Sequence, residues 1–306
     1  MPEAGLPHNG GVRLLASDID GTLLPRSGPI SDRTVAALRD SQAAGVHVVL
    51  ATGRPPRWMS DIAARTGIRG HAVLANGAVV VDLQRVAEPD HGVVRTTTLA
   101  PETVAVLAEE LRAAIPGLFF AVESVGEFGV EPGWPQPIEA NLPTAPLDEL
   151  LARTGGVVKL LAKLSGHATP AGGEWADPDG PEAHASTSTV GDDMLVRARQ
   201  VLAGRGEATH SGATVPLVEI GPPGVTKAAT LAELAAELGV DRVDTVAFGD
   251  MPNDVAMLRW AGTGYAMADG HPDALAAADQ VAPPCAEDGV AQVVEGLLAR
   301  LQRTGA

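Results

Sequence analysis

Ser17-Asp18-Ile19-Asp20-Gly21-Thr22 is the stretch from which the interpretation of this sequence starts. It follows the apolar run Val12–Ala16, which predicts a short buried strand, and a helix signal begins further on at Ser31. Two carboxylates two residues apart can lie on one side of an extended backbone. Two negative charges at such a short distance need a cation or a shared proton to coexist. The same residues are also typical of a solvated turn, so an isolated stretch of this kind leaves both interpretations open.

Strands and helices alternate outward from this stretch. The apolar runs His47–Ala51 and Ala72–Ala75 each end in a polar turn that contains glycine. The same alternation returns near the end of the chain, where Thr226 caps a predicted helix and Val243–Phe248 is the next apolar run. This pattern predicts an α/β fold with a Rossmann-like parallel sheet and helices on its faces.

The pattern changes in the middle of the chain. An amphipathic helix is predicted at Pro101–Ile115, and apolar runs such as Leu118–Val122 and Val157–Leu164 predict strands of a different sheet. We therefore expect an α/β core domain built from residues 1–85 and 222–306, with a smaller α+β domain inserted at residues 86–221.

Composition excludes several classes of function. With 22 basic and 38 acidic residues the formal charge is −16, which argues against non-specific binding of nucleic acid or of an anionic membrane surface. The single cysteine, Cys285, excludes an intramolecular disulfide and a cysteine-based zinc site. The first residues show no signal-peptide pattern, and no apolar run approaches the ~20 residues that span a bilayer. We expect a cytoplasmic location, and the oligomeric state stays open.

Polar residues also follow the other predicted strands of the α/β domain. Thr52-Gly53-Arg54 comes after His47–Ala51, and Asn76-Gly77 comes after Ala72–Ala75. In open parallel sheets, ligands bind at the carboxyl ends of the strands. A hydroxyl and a glycine N–H that face a helix start can hold a phosphate oxygen, although Thr-Gly after a strand is more often a simple turn.

Lysine is scarce in this chain, which has three lysines among its 22 basic residues. Lys227 lies in the first turn of a predicted helix, where a cation opposes the helix dipole, so either a phosphate contact or an ordinary solvated position is possible. Lys159 and Lys163 lie four residues apart in a predicted strand. We interpret them as surface positions of the inserted domain, with substrate contact as the alternative.

Gly249-Asp250-Met251-Pro252-Asn253-Asp254 follows the apolar run Val243–Phe248 and opens a helix. Asp250 and Asp254 supply oxygen ligands of the kind that Mg²⁺ prefers. An acidic helix cap with no metal is the alternative interpretation.

Together, these segments resemble the four motifs of the haloacid dehalogenase-like phosphatases. The motifs are Asp18-Ile19-Asp20-Gly21-Thr22, Thr52-Gly53-Arg54, Lys227 and the segment from Gly249 to Asp254. The position of the insertion, after Asn76-Gly77-Ala78 and before Lys227, resembles the Cof-type branch with an α+β cap. One departure is Asp269-Gly270, where such proteins often have Asn-Ala.

The resemblance implies a mechanism. Asp18 would be the nucleophile and Asp20 the general acid and base. Mg²⁺ would be held by Asp18, by the main-chain carbonyl of Asp20 and by Asp250. The substrate would be a small phosphate ester such as a sugar phosphate, and the cap would close over it. The expected phosphate-binding residues are Thr52, Gly53, Arg54, Asn76, Lys227 and Asn253, with Asn253 and Asp254 also positioning Mg²⁺ waters or Lys227.

Two other functions remain as alternatives. A phosphotransferase or phosphosugar mutase would use the same chemistry and is not excluded by the sequence. A non-catalytic sensor of a phosphorylated ligand would usually lose Asp18, Asp20 or Asp250, and all three are present. A dinucleotide-binding domain is set aside because no Gly-x-Gly-x-x-Gly follows the first strand.

Overall fold

The computed structural model describes residues 11–135, 142–164, 183–210 and 216–304. The strands in these ranges are β1 Leu14–Ser17, β2 His47–Ala51, β3 His71–Leu74, β4 Val79–Asp82, β5 Val93–Thr96, β6 Leu118–Glu123, β7 Phe128–Val130, β8 Lys159–Leu164, β9 Glu207–Thr209, β10 Leu217–Gly221, β11 Thr245–Gly249, β12 Thr263–Met267 and β13 Gln280–Ala282. The helices are α1 Asp32–Ala43, α2 Ser60–Thr66, α3 Pro101–Ala114, α4 Leu147–Ala152, α5 Ala183–Leu202, α6 Lys227–Glu237, α7 Val255–Trp260, α8 Pro272–Ala277 and α9 Gly289–Thr304.

The chain forms two compact units. The first contains the residues up to Thr96 and those from Thr226 onward, and the second contains Thr97–Val225. The expected insertion began at residue 86. Residues 93–96 instead form β5, which pairs with β4 in the sheet of the first unit. The boundary therefore lies where the chain leaves that sheet rather than where the apolar pattern changes.

The first unit is built on an eight-stranded sheet in the order β13-β12-β11-β1-β2-β3-β4-β5. The pairs from β13 to β3 are parallel, as the alternation of strands and helices predicts, and β4 and β5 add an antiparallel edge. The expected α/β fold with a Rossmann-like parallel sheet is thus confirmed. The strands β4 and β5 were not predicted, because a short antiparallel extension has no helix between its strands to mark it.

Local sequence accounts for the helix ends next to the sheet. The Ser31 hydroxyl accepts a hydrogen bond from the Thr34 N–H and begins α1. The Thr226 hydroxyl accepts one from the Ala229 N–H in the same way at the start of α6. Helices α6 and α7 contribute to a buried cluster that includes Leu231 and Leu258 together with Ala16 and Val49 from the strands. This packing holds the ends of β1, β2 and β11 in fixed positions.

The register of the sheet places the sequence motifs next to one another. Ser17 at the end of β1 pairs with Leu50 of β2 on one side and with Phe248 of β11 on the other. The residues that follow these strands therefore leave the sheet at the same edge, which is where ligands bind in this kind of fold.

The second unit contains a five-stranded antiparallel sheet in the order β7-β6-β8-β10-β9. Alternate strand residues such as Phe120, Leu160 and Val218 form a buried cluster with residues of α3, α4 and α5. The strand residues between them point to the opposite face. Within the described ranges, no helix is both long and apolar enough to cross a membrane.

The interpretation of Lys159 as a surface residue is wrong. Its side chain is buried on β8, and its ammonium lies 2.9 Å from the Glu219 carboxylate of β10. Lys163 is half-buried and donates to the Pro135 carbonyl at 2.7 Å. A buried lysine requires such a partner, and strand spacing alone does not show which neighbouring strand supplies it.

Candidate active site

Asp18 is the first residue beyond β1, and it sits at the centre of the site. Its N–H donates to the Phe248 carbonyl of β11 at 3.0 Å, so the backbone ladder fixes its position. The side chain is 7% exposed. Burial raises the pKa of Asp18 well above its ordinary value, and the nearby carboxylates of Asp254 and Asp250 add to this effect while the charge of Lys227 opposes it.

Lys227 joins two carboxylates from distant parts of the chain. Its ammonium donates to Oδ1 of Asp18 at 2.6 Å and to Oδ1 of Asp254 at 2.7 Å, and its side chain is completely buried. Burial lowers the pKa of Lys227, but the two carboxylates outweigh burial, so the pKa is raised overall. The ammonium is therefore charged, and Lys227 is neither solvated nor an ordinary helix residue.

Asp254 orders the loop after β11. Its Oδ2 accepts hydrogen bonds from the N–H groups of Asp250 at 3.1 Å and Met251 at 3.0 Å, while its Oδ1 binds Lys227. This carboxylate is fully buried. These contacts fix the backbone that carries Asp250, and the supporting role expected for Asp254 stays a prediction.

Asp250 approaches the end of β1 from β11. The Thr22 hydroxyl donates to its Oδ1 at 2.8 Å. Burial raises the pKa of Asp250 to about 7, and the charge of Asp254 contributes in the same direction. Thr22 belongs to the first motif, but no role in the site was predicted for it. A hydroxyl contact between residues 228 positions apart leaves no local pattern in the sequence.

Gly21 is required by the close approach of Asp250. Its φ is +83°, and a Cβ at this position would lie 2.2 Å from Oδ2 of Asp250. A side chain would meet both backbone strain and a direct clash. Gly21 therefore lets the first motif turn under the carboxylate of the fourth.

The charges of this cluster do not balance. Carboxylate oxygens of Asp18, Asp250 and Asp254 lie within 4.8 Å of one another, all three residues are buried, and one ammonium lies among them. Three buried carboxylates beside one cation leave excess negative charge, which a divalent cation with oxygen ligands would neutralise. The donor set therefore fits a hard cation such as Mg²⁺.

Asp20 and Arg54 form an ion pair at the edge of the site. Nε of Arg54 donates to Oδ2 of Asp20 at 2.7 Å, and its Nη2 donates to Oδ1 at 2.5 Å. The Asp20 side chain is 51% exposed and that of Arg54 is 21% exposed. Arg54 was expected at the phosphate, whereas in the structure its guanidinium binds the expected acid and base.

Thr52 links the ends of two strands. Its N–H donates to the Val73 carbonyl at 2.8 Å, and its carbonyl accepts from the Asn76 N–H at 3.1 Å. Its hydroxyl accepts from the Arg54 N–H at 3.2 Å. The buried Thr52 and the adjacent Gly53 thus lie in a loop that hydrogen bonds join to β3, and their contact with phosphate stays a prediction.

Asn76 and Asn253 connect the turn after β3 with the fourth motif. Nδ2 of Asn253 donates to Oδ1 of Asn76 at 3.1 Å. Oδ1 of Asn253 is buried and has no hydrogen-bond partner within the part of the chain that the structure describes. A buried acceptor of this kind is expected to find a donor when the site is filled.

Asp269 and His271 lie close to the fourth motif. The His271 N–H donates to the Asp250 carbonyl at 2.7 Å, and the charge of Asp269 contributes to the raised pKa of Asp250. Asp269 therefore adds a further negative charge near the acidic cluster. This added charge is the local effect of Asp269-Gly270, which departs from the Asn-Ala that is common in the resembled family.

Known proteins resemble this chain in sequence and in fold. The profile of the haloacid dehalogenase-like hydrolases matches residues 15–128 and 200–294. The chain is 24% identical to a Bacillus subtilis protein named 5-amino-6-(5-phospho-D-ribitylamino)uracil phosphatase YcsE, covering 92% of this chain and 94% of that protein. It is 29% identical to a Yersinia pseudotuberculosis HMP-PP phosphatase, covering 91% of this chain and 93% of that protein.

Solved structures show the same fold. The sugar phosphatase BT4131 of HAD subclass IIB superposes with a TM-score of 0.70 at 22% identity, covering 93% of this chain and 99% of that one. A Streptococcus mutans protein superposes with a TM-score of 0.75 at 20% identity, covering 94% of this chain and all of that one.

The parallel sheet with a lysine-bridged acidic cluster at its carboxyl edge places the chain among α/β proteins that bind ligands at that edge. The chain belongs to the haloacid dehalogenase-like hydrolases. Within that family it is a Cof-type phosphatase, that is, an enzyme that hydrolyses phosphoric monoesters.

Proposed function

We propose that this protein is a Mg²⁺-dependent phosphatase that forms an aspartyl phosphate on Asp18. The observation that carries the proposal is the buried arrangement of Asp18, Lys227, Asp254 and Asp250 at the carboxyl ends of β1 and β11. A nucleophilic carboxylate, a fixed ammonium and a cation site next to one another suit attack on a phosphate dianion.

Asp18, the Asp20 main-chain carbonyl and Asp250 would hold the metal, as the resemblance implies, and the excess negative charge of the cluster supports a cation there. Bound Mg²⁺ would neutralise charge on the phosphoryl group and on the nucleophile, so that two anions can approach each other. Asp254 keeps the Asp250 loop and the Lys227 ammonium in place.

In the first step, a carboxylate oxygen of Asp18 would form a bond to phosphorus while the bond from phosphorus to the leaving oxygen breaks. Asp20 would give its proton to that leaving oxygen. Lys227, the Thr52 hydroxyl and the Gly53 N–H would bind the phosphoryl oxygens. In the second step, Asp20 would take a proton from water as the water oxygen attacks phosphorus, and inorganic phosphate and the Asp18 carboxylate would be released.

We propose a small phosphorylated metabolite, such as a sugar phosphate, as the substrate. Support comes from the names of the relatives, which are phosphatases of a phosphoribitylamino-uracil, of HMP-PP and of sugar phosphates. The second unit, Thr97–Val225, is proposed as the cap that contacts the leaving group. The cytoplasmic location and the absence of nucleic-acid or membrane partners stay predictions.

The test is release of phosphate from an aryl phosphate by purified protein, with Mg²⁺ and with EDTA. We expect Mg²⁺-dependent turnover that Asp18→Asn abolishes. Asp40→Asn, an exposed aspartate on α1, is the matched control and is expected to behave as wild type. Equal rates for wild type and Asp18→Asn would remove Asp18 as the nucleophile. Transfer to an added sugar acceptor without free phosphate would indicate a phosphotransferase or mutase, and no turnover would favour a sensor.

A further inference from the structure

The ion pair between Arg54 and Asp20 uses both oxygens of the carboxylate. Nε and Nη2 of the same guanidinium donate to Oδ2 and Oδ1 at 2.7 and 2.5 Å. A planar fork on a planar carboxylate fixes the distance to Asp20 and also the orientation of its plane. A single ammonium in the same place would fix the distance alone.

The backbone that carries Arg54 is itself held at two points. Its N–H donates to the Thr52 hydroxyl at 3.2 Å, and its carbonyl accepts from the Ala75 N–H at 3.0 Å. Arg54 is therefore anchored to the residues that follow β2 and β3. Its guanidinium is the more buried partner, with 21% of the side chain exposed against 51% for Asp20. The anchored residue thus holds the exposed one, and not the reverse.

A half-exposed aspartate that had no such partner would sample several rotamers in water. A group that gives or takes a proton must instead hold one oxygen within hydrogen-bond reach of the reacting atom. The two contacts of Arg54 hold the Asp20 carboxylate in one orientation.

We propose that Arg54 is a positioning residue for Asp20, and that its effect on catalysis acts through that carboxylate and not through the substrate phosphate. The proposal rests on the proposed phosphatase function, because it assigns Asp20 the proton transfers of that reaction. It replaces the phosphate contact that the sequence suggested for Arg54.

The test is a double-mutant cycle of Arg54→Gln and Asp20→Asn, measured on an aryl phosphate with a good leaving group so that the Asp20→Asn enzyme keeps measurable turnover. In the wild-type background, Arg54→Gln is expected to lower kcat by roughly 10-fold to 100-fold, the range for a misplaced proton-transfer group, and to change KM little. In the Asp20→Asn background, the same substitution is expected to change kcat less than about 3-fold. A phosphate ligand would instead raise KM and give the same loss in both backgrounds.

Arg54→Lys tests whether the two-point contact of the guanidinium is needed or only its positive charge. Since lysine keeps the charge but cannot bind both oxygens, we expect it to lose nearly as much kcat as Arg54→Gln. Full activity of Arg54→Lys would overturn the proposal. Arg33→Gln is the matched control, because Arg33 makes the same two-point contact with Glu295 at 2.8 and 2.7 Å on an exposed surface, and it is expected to leave kcat unchanged.

Different results would refute the phosphatase function and the role of Arg54. If wild-type protein shows no Mg²⁺-dependent turnover, or if Asp18→Asn is as active as wild type, the proposed function itself fails. If wild type is active and Asp18→Asn is not, but Arg54→Gln acts equally with and without Asp20 or has no effect on kcat, the role of Arg54 alone is wrong. Thermal melting of each variant checks whether the fold is retained.

Discussion

Replacing Lys227 by methionine tests whether one buried ammonium balances the acidic cluster. The side chain of Lys227 is fully buried and bound to Asp18 and Asp254 at 2.6 and 2.7 Å. Methionine fills a similar volume but leaves both carboxylates without their cation. Removing one partner of a buried ion pair costs about 3–5 kcal/mol. In a domain of this size each kcal/mol lowers Tm by roughly 2–4 °C, so a loss of about 6–20 °C is expected for the first unit.

The loss should depend on pH. Burial already raises the pKa of Asp18, and the charge of Lys227 opposes that rise, so Lys227→Met raises the pKa of Asp18 further. A carboxyl group whose pKa is higher in the folded than in the unfolded state binds an extra proton when folded, and stability then falls as pH rises through that interval. We therefore expect Lys227→Met to lose more Tm at pH 8 than at pH 5.

The assay is thermal unfolding in EDTA at both pH values, with Lys163→Met as a matched control. Lys163 is half-buried and donates to a carbonyl rather than to a carboxylate, so its loss should be small and independent of pH. The double variant Lys227→Met with Asp18→Asn should recover part of the loss, because one uncompensated charge is gone. A fall in Tm of less than about 3 °C at pH 8, or the same fall at both pH values, would refute the reasoning.

Three further predictions follow from other contacts. Gly21→Ala places a Cβ 2.2 Å from Oδ2 of Asp250 at a φ of +83°. We expect kcat to fall by at least about 10-fold, and normal turnover would contradict the clash. Burial raises the pKa of Asp250 to about 7, so the metal-free protein loses stability as pH rises toward that value. Mg²⁺ should therefore raise Tm more at pH 8 than at pH 6, where it must displace a proton. The opposite order would count against a metal at Asp250. Lys159→Met should lower the Tm of the second unit. Adding Glu219→Leu should restore most of the lost Tm, because apolar groups then replace the buried pair. A double variant no more stable than the single one would show that the pair is not the cause.

Short sequence patterns predicted most of the first unit. The strand His47–Ala51 and the helix starts at Ser31 and Thr226 follow from apolar runs and capping residues, and each lies where it was expected. The six-residue helices α4 and α8 were not predicted, since each spans less than two turns and carries little periodicity of its own, whereas the equally short α7 was marked by the motif before it. The role expected for Asn253 beside the metal or Lys227 stays a prediction, while its contact with Asn76 is observed.

The sequence by itself determined the parallel sheet and the places where polar residues leave it, because the alternation of apolar runs and turn residues is a local property of the chain. Only the tertiary structure decided which charges meet. Lys227 reaches Asp18 across 209 residues, Arg54 binds Asp20, and Lys159 is buried against Glu219. Ion pairs depend on the distances between side chains that lie far apart in the sequence, and strand order, register and helix packing set those distances only after the fold has formed.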